Sequence, residues 1–340
     1  MKAAVFYSKE DLRINDREIP KAYGDNVLIK VKACGICGTD MHIFDGDEGV
    51  APTPEGTTLG HEFAGEVVEI GERVKGINVG DKVCVDPNKL CNECAFCKEG
   101  IGHFCENMVG IGTTVDGGFA EYCLVPMSQV YKFEKDISFT DAAMTEPVAC
   151  CLHGIDLCNI DVGNTVLVIG GGMIGLIMLQ LAKLRGAANL ILIEPIKEKR
   201  EHALKLGANI VIDPINEDVE DVLKANNVDR VNTVIECVGK TSTMEQAIAL
   251  AGKYSTVMMF GLTSPNDEIK IKPFEFFKKE IILKASFINP YTQARALKLI
   301  ESKKIDVSSM IYKLITLDKL PSVLDDKKER AKGKFVVCFE

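Results

Sequence analysis

The chain has 340 residues, 46% apolar and 26% charged, a balance typical of a folded protein long enough for two domains. Its 40 basic and 49 acidic residues give a net charge of −9, which argues against nonspecific binding to nucleic acid or to an anionic membrane. The 13 cysteines are odd in number and four are clustered, which disfavours a secreted disulfide framework. The apolar run at the N-terminus is too short for a signal peptide, so we expect a cytoplasmic protein with no membrane span.

The first 130 residues read as short strands separated by glycine turns. Residues 2–7 are apolar, and residues 26–32 alternate in part between apolar and polar side chains, which predicts a half-exposed antiparallel sheet. Strand-like segments follow at 64–70, 82–85 and 117–125. This pattern of short strands predicts a barrel-like β domain.

Two short clusters in this region carry metal-binding side chains. Cys37 lies in a segment that also contains Thr39 and His42, and the adjacent pair His61 and Glu62 follows after a loop rich in Pro and Gly. Cys37, His61 and Glu62 offer one sulfur, one nitrogen and one oxygen ligand. Three protein ligands with a fourth position left open are typical of a catalytic zinc rather than a structural one.

The segment after Cys37 allows more than one interpretation. Thr39 or Asp40 could cap a helix that begins here, and His42 could be a surface imidazole. Alternatively, Thr39 and His42 carry a proton from a buried alcohol to water. The loop at 43–58 has a functional length, and we expect it to overhang a substrate rather than to lie free in solvent.

A second set of thiols lies between the strand-like segments. The four cysteines have two, two and seven intervening residues, and they are Cys91, Cys94, Cys97 and Cys105. Four thiolates close a tetrahedral zinc site, although an iron–sulfur cluster also accepts such spacing. Zinc is the favoured metal, and because no position is left open we predict a structural role for it.

Glu146 lies in an otherwise apolar stretch that looks helical from 141 to 158. A carboxylate at a helix start is favourable even when it only faces water. The alternative is that Glu146 lies beside the first zinc, and the spacing alone does not decide between the two.

At residue 165 the pattern changes. An apolar strand at 165–169 runs directly into Gly170-Gly171-Gly172-Met173-Ile174-Gly175 and then into a helix at 176–185. This is G-x-G-x-x-G between strand and helix, with Glu194 at the tip of the next strand, 24 positions after Gly170. The pattern predicts that a dinucleotide pyrophosphate rests on the helix N-terminus. Glu194 would accept hydrogen bonds from the adenosine ribose and repel a 2′-phosphate, so we predict NAD rather than NADP.

Strands and helices then alternate to about residue 290, which predicts six parallel strands in a doubly wound sheet. The further strands are expected at 210–213, 231–237, 254–260 and 280–286, and the further helices at 198–206, 218–225 and 244–251. The cofactor cleft should be lined by the segments after Ile193 and around Val238, Phe260, Gly261 and Leu262. A helix is expected at 291–303, and the strand-like tail at 334–339 should return to the first domain.

These motifs, in this order and over nearly the whole chain, resemble the zinc-dependent medium-chain alcohol dehydrogenases, most closely the polyol (sorbitol-type) and threonine dehydrogenase branch. The resemblance implies an α/β protein with a GroES-like β-rich catalytic domain at 1–150 and 290–340. A Rossmann NAD-binding domain is then expected at 151–289. It also implies a homodimer or homotetramer.

The resemblance also implies roles for individual residues. Cys37, His61 and Glu62 match the catalytic zinc ligands, and Glu146 matches a carboxylate that binds zinc or its water. The structural zinc ligands would be the four clustered cysteines, Cys91, Cys94, Cys97 and Cys105. Thr39 and His42 match a proton relay, and Glu194 and Lys199 match ribose and adenine contacts.

The function implied is oxidation of a secondary alcohol of a polyol, with or without a phosphate, to a ketone, with hydride transfer to NAD. Zinc would lower the pKa of the substrate hydroxyl. The alternatives are an L-threonine 3-dehydrogenase or a 2,3-butanediol dehydrogenase. A further alternative, from another class, is a catalytically silent protein that binds zinc and nucleotide.

Overall fold

The computed structural model describes residues 1–47, 52–134 and 136–340. Residues 48–51, part of the loop predicted at 43–58, lie outside the described residues, so the expected role of that loop stays a prediction. Within the described ranges, no helix combines the length and the apolar character needed to cross a membrane.

The described residues form two compact units, the first from Met1–Ala149 with Asn289–Glu340 and the second from Cys150–Ile288. The strands are β1 Lys2–Ser8, β2 Asp11–Asp16, β3 Asn26–Gly35, β4 Glu62–Ile70, β5 Lys82–Val85, β6 Asn88–Lys89, β7 Val109–Gly110, β8 Tyr122–Pro126, β9 Val130–Lys132, β10 Thr165–Ile169, β11 Asn189–Ile193, β12 Ile210–Ile212, β13 Thr233–Glu236, β14 Thr256–Met259, β15 Ile282–Ala285, β16 Ile311–Ile315 and β17 Lys334–Cys338. The α-helices are α1 Gly38–Asp45, α2 Ala95–Lys98, α3 Phe139–Ala143, α4 Thr145–Leu157, α5 Met173–Leu184, α6 Lys197–Leu206, α7 Val219–Ala225, α8 Thr241–Leu250, α9 Pro273–Lys279, α10 Gln293–Glu301, α11 Leu320–Asp325 and α12 Lys327–Arg330. Short 3₁₀ helices occur at Gly102–Phe104, Met127–Gln129, Ser308–Met310 and Leu317–Lys319.

The first unit is built on a seven-stranded sheet in the order β16-β17-β3-β4-β5-β9, with β8 also paired to β3. Its core holds large side chains that are almost completely buried, among them Ile29, Phe63, Phe119 and Phe335. The last strand, β17, pairs antiparallel with β3, so the C-terminal tail returns to this unit as predicted.

The second unit contains a six-stranded, all-parallel sheet in the order β12-β11-β10-β13-β14-β15. Its central strands are buried on both faces, which explains why they read as continuous apolar runs rather than alternating ones. The strand order reverses on the two sides of β10, and ligands of such sheets bind at the carboxyl ends of the strands beside this reversal. The predicted doubly wound parallel sheet is therefore confirmed.

The helix predicted at 141–158 is wrong as a single element, because α3 ends at Ala143 and α4 begins at Thr145. Pro147 explains the break. It has no N–H to donate to the carbonyl four residues earlier, and its ring would clash with that carbonyl, so it is tolerated only in the first turn of a new helix. The break places Glu146 in the first turn of α4.

A buried polar network joins the end of β5 to the segment at which the chain re-enters the first unit. Asp86 accepts hydrogen bonds from the backbone N–H of Asn88 (3.1 Å) and from the side-chain amide of Asn289 (3.2 Å). That amide also donates to Gln293, whose own amide donates to the Val85 carbonyl at 3.0 Å. Burial raises the pKa of Asp86 to about 6, although these donors partly offset it.

This raised pKa predicts that Asp86→Asn stabilises the protein above neutral pH. Folding favours the protonated carboxyl, so its contribution is complete below the ordinary pKa of 3.8 and is lost as the pH rises towards about 6. An amide oxygen keeps both accepted hydrogen bonds and does not ionise. Between about pH 5 and about pH 8, the unfolding free energy of the variant should gain about 1.4 kcal/mol on that of the wild type.

Denaturant unfolding in saturating zinc, at several pH values across that range, measures this difference. Asp318→Asn serves as the control, because it makes the same exchange at a carboxylate that is 62% exposed. A constant difference between Asp86→Asn and the wild type at all pH values would contradict the raised pKa.

Candidate functional site

Three of the predicted metal ligands meet in the first unit. Cys37 is the N-cap of α1, His61 immediately precedes β4, and Glu62 is its first residue. The ligand atoms of Cys37, His61 and Glu62 all lie within 4.8 Å of one another. His61 and Glu62 are 6% and 1% exposed, whereas Cys37 is half-buried. One sulfur, one nitrogen and one oxygen converge here, and this donor set fits a zinc ion with a further position open.

Asp40 holds two of these ligands in place. One of its carboxylate oxygens accepts the backbone N–H of Cys37 at 2.8 Å, and the other lies 3.5 Å from His61 Nδ1. Cys37, rather than Thr39 or Asp40, is therefore the N-cap of α1, while Asp40 contributes to the capping as the third helical residue of a capping box. A buried carboxylate behind a histidine orients the ring and leaves its other nitrogen, Nε2, for a metal.

Charges around His61 are consistent with a cation at this point. Burial opposes protonation of the imidazole, but the negative charges of Asp40 and Cys37 outweigh it and raise the pKa of His61 well above its ordinary value. Within the described part of the chain, His61 Nδ1 and Asp40 Oδ1 are buried without a hydrogen bond of good geometry. A site that attracts a proton this strongly also attracts a divalent cation in its place.

Lys334 contacts the third ligand from the far end of the chain. It is the first residue of β17, is 8% exposed, and forms an ion pair with Glu62 Oε2. Its ammonium group also donates to the Ile36 carbonyl at 2.8 Å. Burial alone would lower the pKa of Lys334, but the charges of Glu62 and Cys37 outweigh it and raise that pKa. Lys334 therefore stays charged and fixes the Glu62 carboxylate by one oxygen.

The other residues predicted for this site are not among the converging ligand atoms. Glu146 is buried at 7% exposure but does not belong to the group of converging ligand atoms. Thr39 Oγ1 lies 3.8 Å from Cys37 Sγ. His42 Nδ1 lies 3.1 Å from Asp47 Oδ2, so the imidazole donates to this carboxylate and keeps Nε2 free to exchange a proton.

The four clustered cysteines also converge, with all sulfur atoms within 4.8 Å of one another. Tetrahedral zinc with bonds of about 2.3 Å separates its sulfur ligands by about 3.8 Å, and Cys91 Sγ and Cys97 Sγ are 4.0 Å apart. Backbone N–H groups of Glu93 and Cys94 donate to Cys91 and lower the pKa of that thiol to about 6. The arrangement fits a closed, thiolate-bound zinc.

In the second unit, the glycine turn joins β10 to α5 as predicted. Gly170 has a φ of +101°, and Gly172 is the N-cap of α5, so Met173, Ile174 and Gly175 form its first turn. A Cβ at Gly175 would lie only 1.8 Å from the Gly170 carbonyl oxygen, which makes glycine obligatory there. The turn leaves the N-terminus of α5 directed at the carboxyl edge of the sheet.

Glu194 follows β11 and is 5% exposed. Its carboxylate accepts hydrogen bonds from the backbone N–H groups of Gly171 (2.6 Å) and Ile196 (2.9 Å), so it braces the glycine turn. Lys199 lies half-buried in the first turn of α6. The remaining predicted cofactor residues follow β13 or β14 at the same edge of the sheet, and they are Val238, Phe260, Gly261 and Leu262.

Comparison with known proteins identifies the family. Residues 24–135 match the family described as "Alcohol dehydrogenase GroES-like domain", and residues 173–302 match "Zinc-binding dehydrogenase". An L-threonine 3-dehydrogenase of Caldanaerobacter subterraneus is 40% identical over 78% of this chain and 76% of its own length. A D-arabinitol dehydrogenase of Uromyces fabae is 32% identical, covering 98% of this chain and 96% of its own. A D-arabitol-phosphate dehydrogenase of Enterococcus avium is also 32% identical, covering 95% and 92%.

Among solved structures, a zinc-binding dehydrogenase of Sinorhizobium meliloti with bound NADP superposes with a TM-score of 0.95. It is 38% identical, and the match covers 99% of both chains. The predicted α/β architecture of a GroES-like and a Rossmann part is thereby confirmed, as is the predicted oxidoreductase class. The chain belongs to the zinc-dependent medium-chain dehydrogenase family.

Proposed function

We propose that the protein oxidises a secondary alcohol of a polyol to a ketone, with NAD as the hydride acceptor. The observation that carries this proposal is the convergence of Cys37, His61 and Glu62 within 4.8 Å, in a chain of the zinc-dependent dehydrogenase family. These three residues would hold the catalytic zinc. Glu146, in the first turn of α4, would bind that zinc or its water. Zinc bound there supplies Lewis acidity to a substrate hydroxyl, and NAD accepts the hydride.

The chain's own groups prepare this site. The ion pair with Lys334 occupies Glu62 Oε2, which leaves Oε1 for a metal. Asp40 faces His61 Nδ1 and so directs Nε2 towards the same point. Because both supporting groups are buried, they fix their ligands without competition from water.

The alcohol proton leaves through Thr39 and His42 in this proposal. The Thr39 hydroxyl lies beside Cys37 and can pass a proton onwards, and His42 is one helical turn further along α1. Asp47 accepts the Nδ1–H of His42 and thereby selects the tautomer whose Nε2 takes up the proton. The side chain of His42 is 33% exposed, so it can release that proton to water.

The substrate class is supported by relatives that are named for arabinitol and for arabitol phosphate. The alternative is L-threonine 3-dehydrogenase activity, which is supported by the relative at 40% identity, or 2,3-butanediol dehydrogenase activity. The test is NADH production with purified zinc-loaded protein on a panel of sugar alcohols, their phosphates, L-threonine and 2,3-butanediol. Fastest turnover of a polyol supports the proposal, and fastest turnover of threonine or butanediol overturns it in favour of that alternative.

NAD is proposed rather than NADP, although the relative from Sinorhizobium meliloti binds NADP. Glu194 places a carboxylate at the tip of β11, where it would repel a 2′-phosphate. Arg200 is not available to attract a 2′-phosphate. Its guanidinium donates to the carbonyls of Glu194 and Pro195 and pairs with Asp213 at 3.0 Å.

Glu194→Gln tests this preference. The amide keeps an acceptor for Gly171 but removes the charge, so the ratio of kcat/KM for NAD over NADP should fall about tenfold, equivalent to about 1.4 kcal/mol. Glu194→Ala should lower the ratio further, because it also removes the hydrogen bonds to the glycine turn. Glu198→Gln, an exposed site on α6, is the control. A ratio in Glu194→Gln equal to that of the control would remove Glu194 from this role.

The four-cysteine site is proposed to bind the structural zinc. The catalytic domain is proposed to comprise residues 1–150 and 290–340, and the NAD-binding domain residues 151–289. A cytoplasmic location is proposed because the described cysteines form no disulfide bonds with one another.

A homodimer or homotetramer is proposed from one surface of the second unit. Strand β15 is the edge of the parallel sheet, and its Ile282 and Leu283 are exposed. Phe274 and Phe277 of the preceding helix α9 are 69% and 77% exposed. The exposed backbone groups and apolar side chains of such a sheet edge can pair with a second copy of the chain. Light scattering at micromolar concentration should give a mass of two or four chains, and a monomer would contradict the proposal.

A further inference from the structure

Glu236 is a buried carboxylate for which neither the sequence motifs nor the proposed chemistry accounts. It is the last residue of β13 and has no exposed surface. Its Oε1 accepts three hydrogen bonds, from the backbone N–H groups of Val238 (2.8 Å) and Gly239 (3.0 Å) and from the Thr243 hydroxyl (2.8 Å). The side chain therefore ties the loop after β13 to the first turn of α8.

The same residue also holds the loop after the neighbouring strand. Its backbone carbonyl accepts the N–H groups of Phe260 and Gly261, both at 3.0 Å. Gly261 packs so closely that a Cβ there would lie 2.2 Å from the Gly239 nitrogen and 2.7 Å from Glu236 Oε2. The two loops thus touch each other over Glu236, and no larger residue fits at Gly261.

The second carboxylate oxygen is the unusual feature. Glu236 Oε2 is buried and has no hydrogen-bond partner among the residues that the structure describes. A buried charge with one bare oxygen costs free energy unless the bonds to its other oxygen are strong. The three hydrogen bonds to Oε1 are strengthened by the negative charge, so the carboxylate holds the loop after β13 and the start of α8 more firmly than a neutral amide would. The loop after β14 is held by the backbone carbonyl of the same residue.

We propose that Glu236 is a positioning residue that preforms the cofactor edge of the sheet. This inference rests on the proposed function, in which Val238, Phe260 and Gly261 face the dinucleotide. Glu236 would touch none of the reacting atoms. It would fix both loops before the cofactor binds, so that binding does not have to order them.

The test is NADH affinity, measured by fluorescence titration of the zinc-loaded full chain without any alcohol. Glu236→Gln keeps an acceptor at Oε1 but removes the charge, and its Kd for NADH should rise about three- to tenfold. With the alcohol that the substrate panel identifies, KM for NAD should rise by a similar factor, while kcat at saturating NAD changes less than about twofold. Thr243→Val, which removes one donor at the edge of the network, should raise Kd by a smaller factor. Glu220→Gln, an exposed glutamate of α7 in the same unit, is the matched control and should bind NADH as the wild type does.

A Glu236→Gln protein with a lower melting temperature but wild-type Kd and KM would show a merely structural role and overturn the inference. Glu236→Leu, of similar volume without an acceptor, should lose most of its NADH affinity if it folds, and retained affinity would overturn the inference as well. A wild-type chain that binds neither NADH nor NADPH would instead overturn the proposed function. That outcome is distinct, because it is read from the unmutated protein.

Discussion

Cys37→Ser is expected to lower kcat/KM by at least about 10³ while leaving a folded protein. A hydroxyl is a much poorer zinc ligand than a thiolate, and the other two ligands cannot close the site by themselves. Losing the Lewis acid removes several kcal/mol of transition-state stabilisation, and each 1.36 kcal/mol is about a factor of ten in rate. Elemental analysis should show zinc falling from about two ions per chain to about one.

The matched control for this experiment is Cys338→Ser. That thiol is half-buried on β17 and belongs to neither group of converging ligands. It should keep both zinc ions and wild-type activity. Cys37→Ser with both zinc ions and near wild-type turnover would show that the metal and the chemistry lie elsewhere.

The two groups of candidate zinc ligands could be predicted, because the residue types and spacings that suit a metal are local features of the sequence. Cys37 is indicated by the segment that it shares with Thr39 and His42. His61 and Glu62 are indicated because they are adjacent, and the four clustered cysteines because of their spacing. The structure brings each set together within 4.8 Å. The glycine turn and Glu194 were found in the same way, because strand, turn and helix are consecutive in the chain.

The supporting residues were not predictable, because they reach the site through tertiary structure. Lys334 lies 272 positions from Glu62, and only the pairing of β17 with β3 makes them neighbours. A lysine at the head of an apolar strand was the available signal. The sequence indicates Asp40 only as a helix cap, since its second contact, with His61, is made by a residue that is distant in the sequence.

Element boundaries were least predictable where packing overrides local pattern. The helix α9 and the C-terminal elements α11, α12 and β16 were not predicted, because their short segments carry no clear period. Glu236 was overlooked for another reason. A glutamate at a strand end reads as an exposed charge, and its burial depends on the close contact of two glycine loops.

We expect the segment around the four cysteines to depend on a bound metal for its stability. From 91 to 101 it has no buried residue, and its large apolar side chains Phe96, Ile101 and Phe104 are 37%, 37% and 49% exposed. A segment with so little apolar burial cannot offset its conformational entropy unless another interaction holds it. A closed zinc site would supply that interaction, since the free energy of metal binding becomes folding free energy.

Cys97→Ser should therefore destabilise the protein by about 3–5 kcal/mol, a size typical of losing a structural metal or disulfide. Zinc content should fall by one ion, and limited proteolysis should cut first between residues 91 and 105. NADH binding should change little, because the glycine turn and Glu194 belong to the other unit. This pattern is opposite to that of Cys37→Ser, which should lose activity but keep its protease resistance.

The identity of the metal is tested on the wild type. Iron in the purified protein, together with absorption of visible light, would show that the four thiols hold an iron–sulfur cluster instead of zinc. Full zinc content and unchanged protease resistance in Cys97→Ser would show that the four thiols do not hold the segment through a metal.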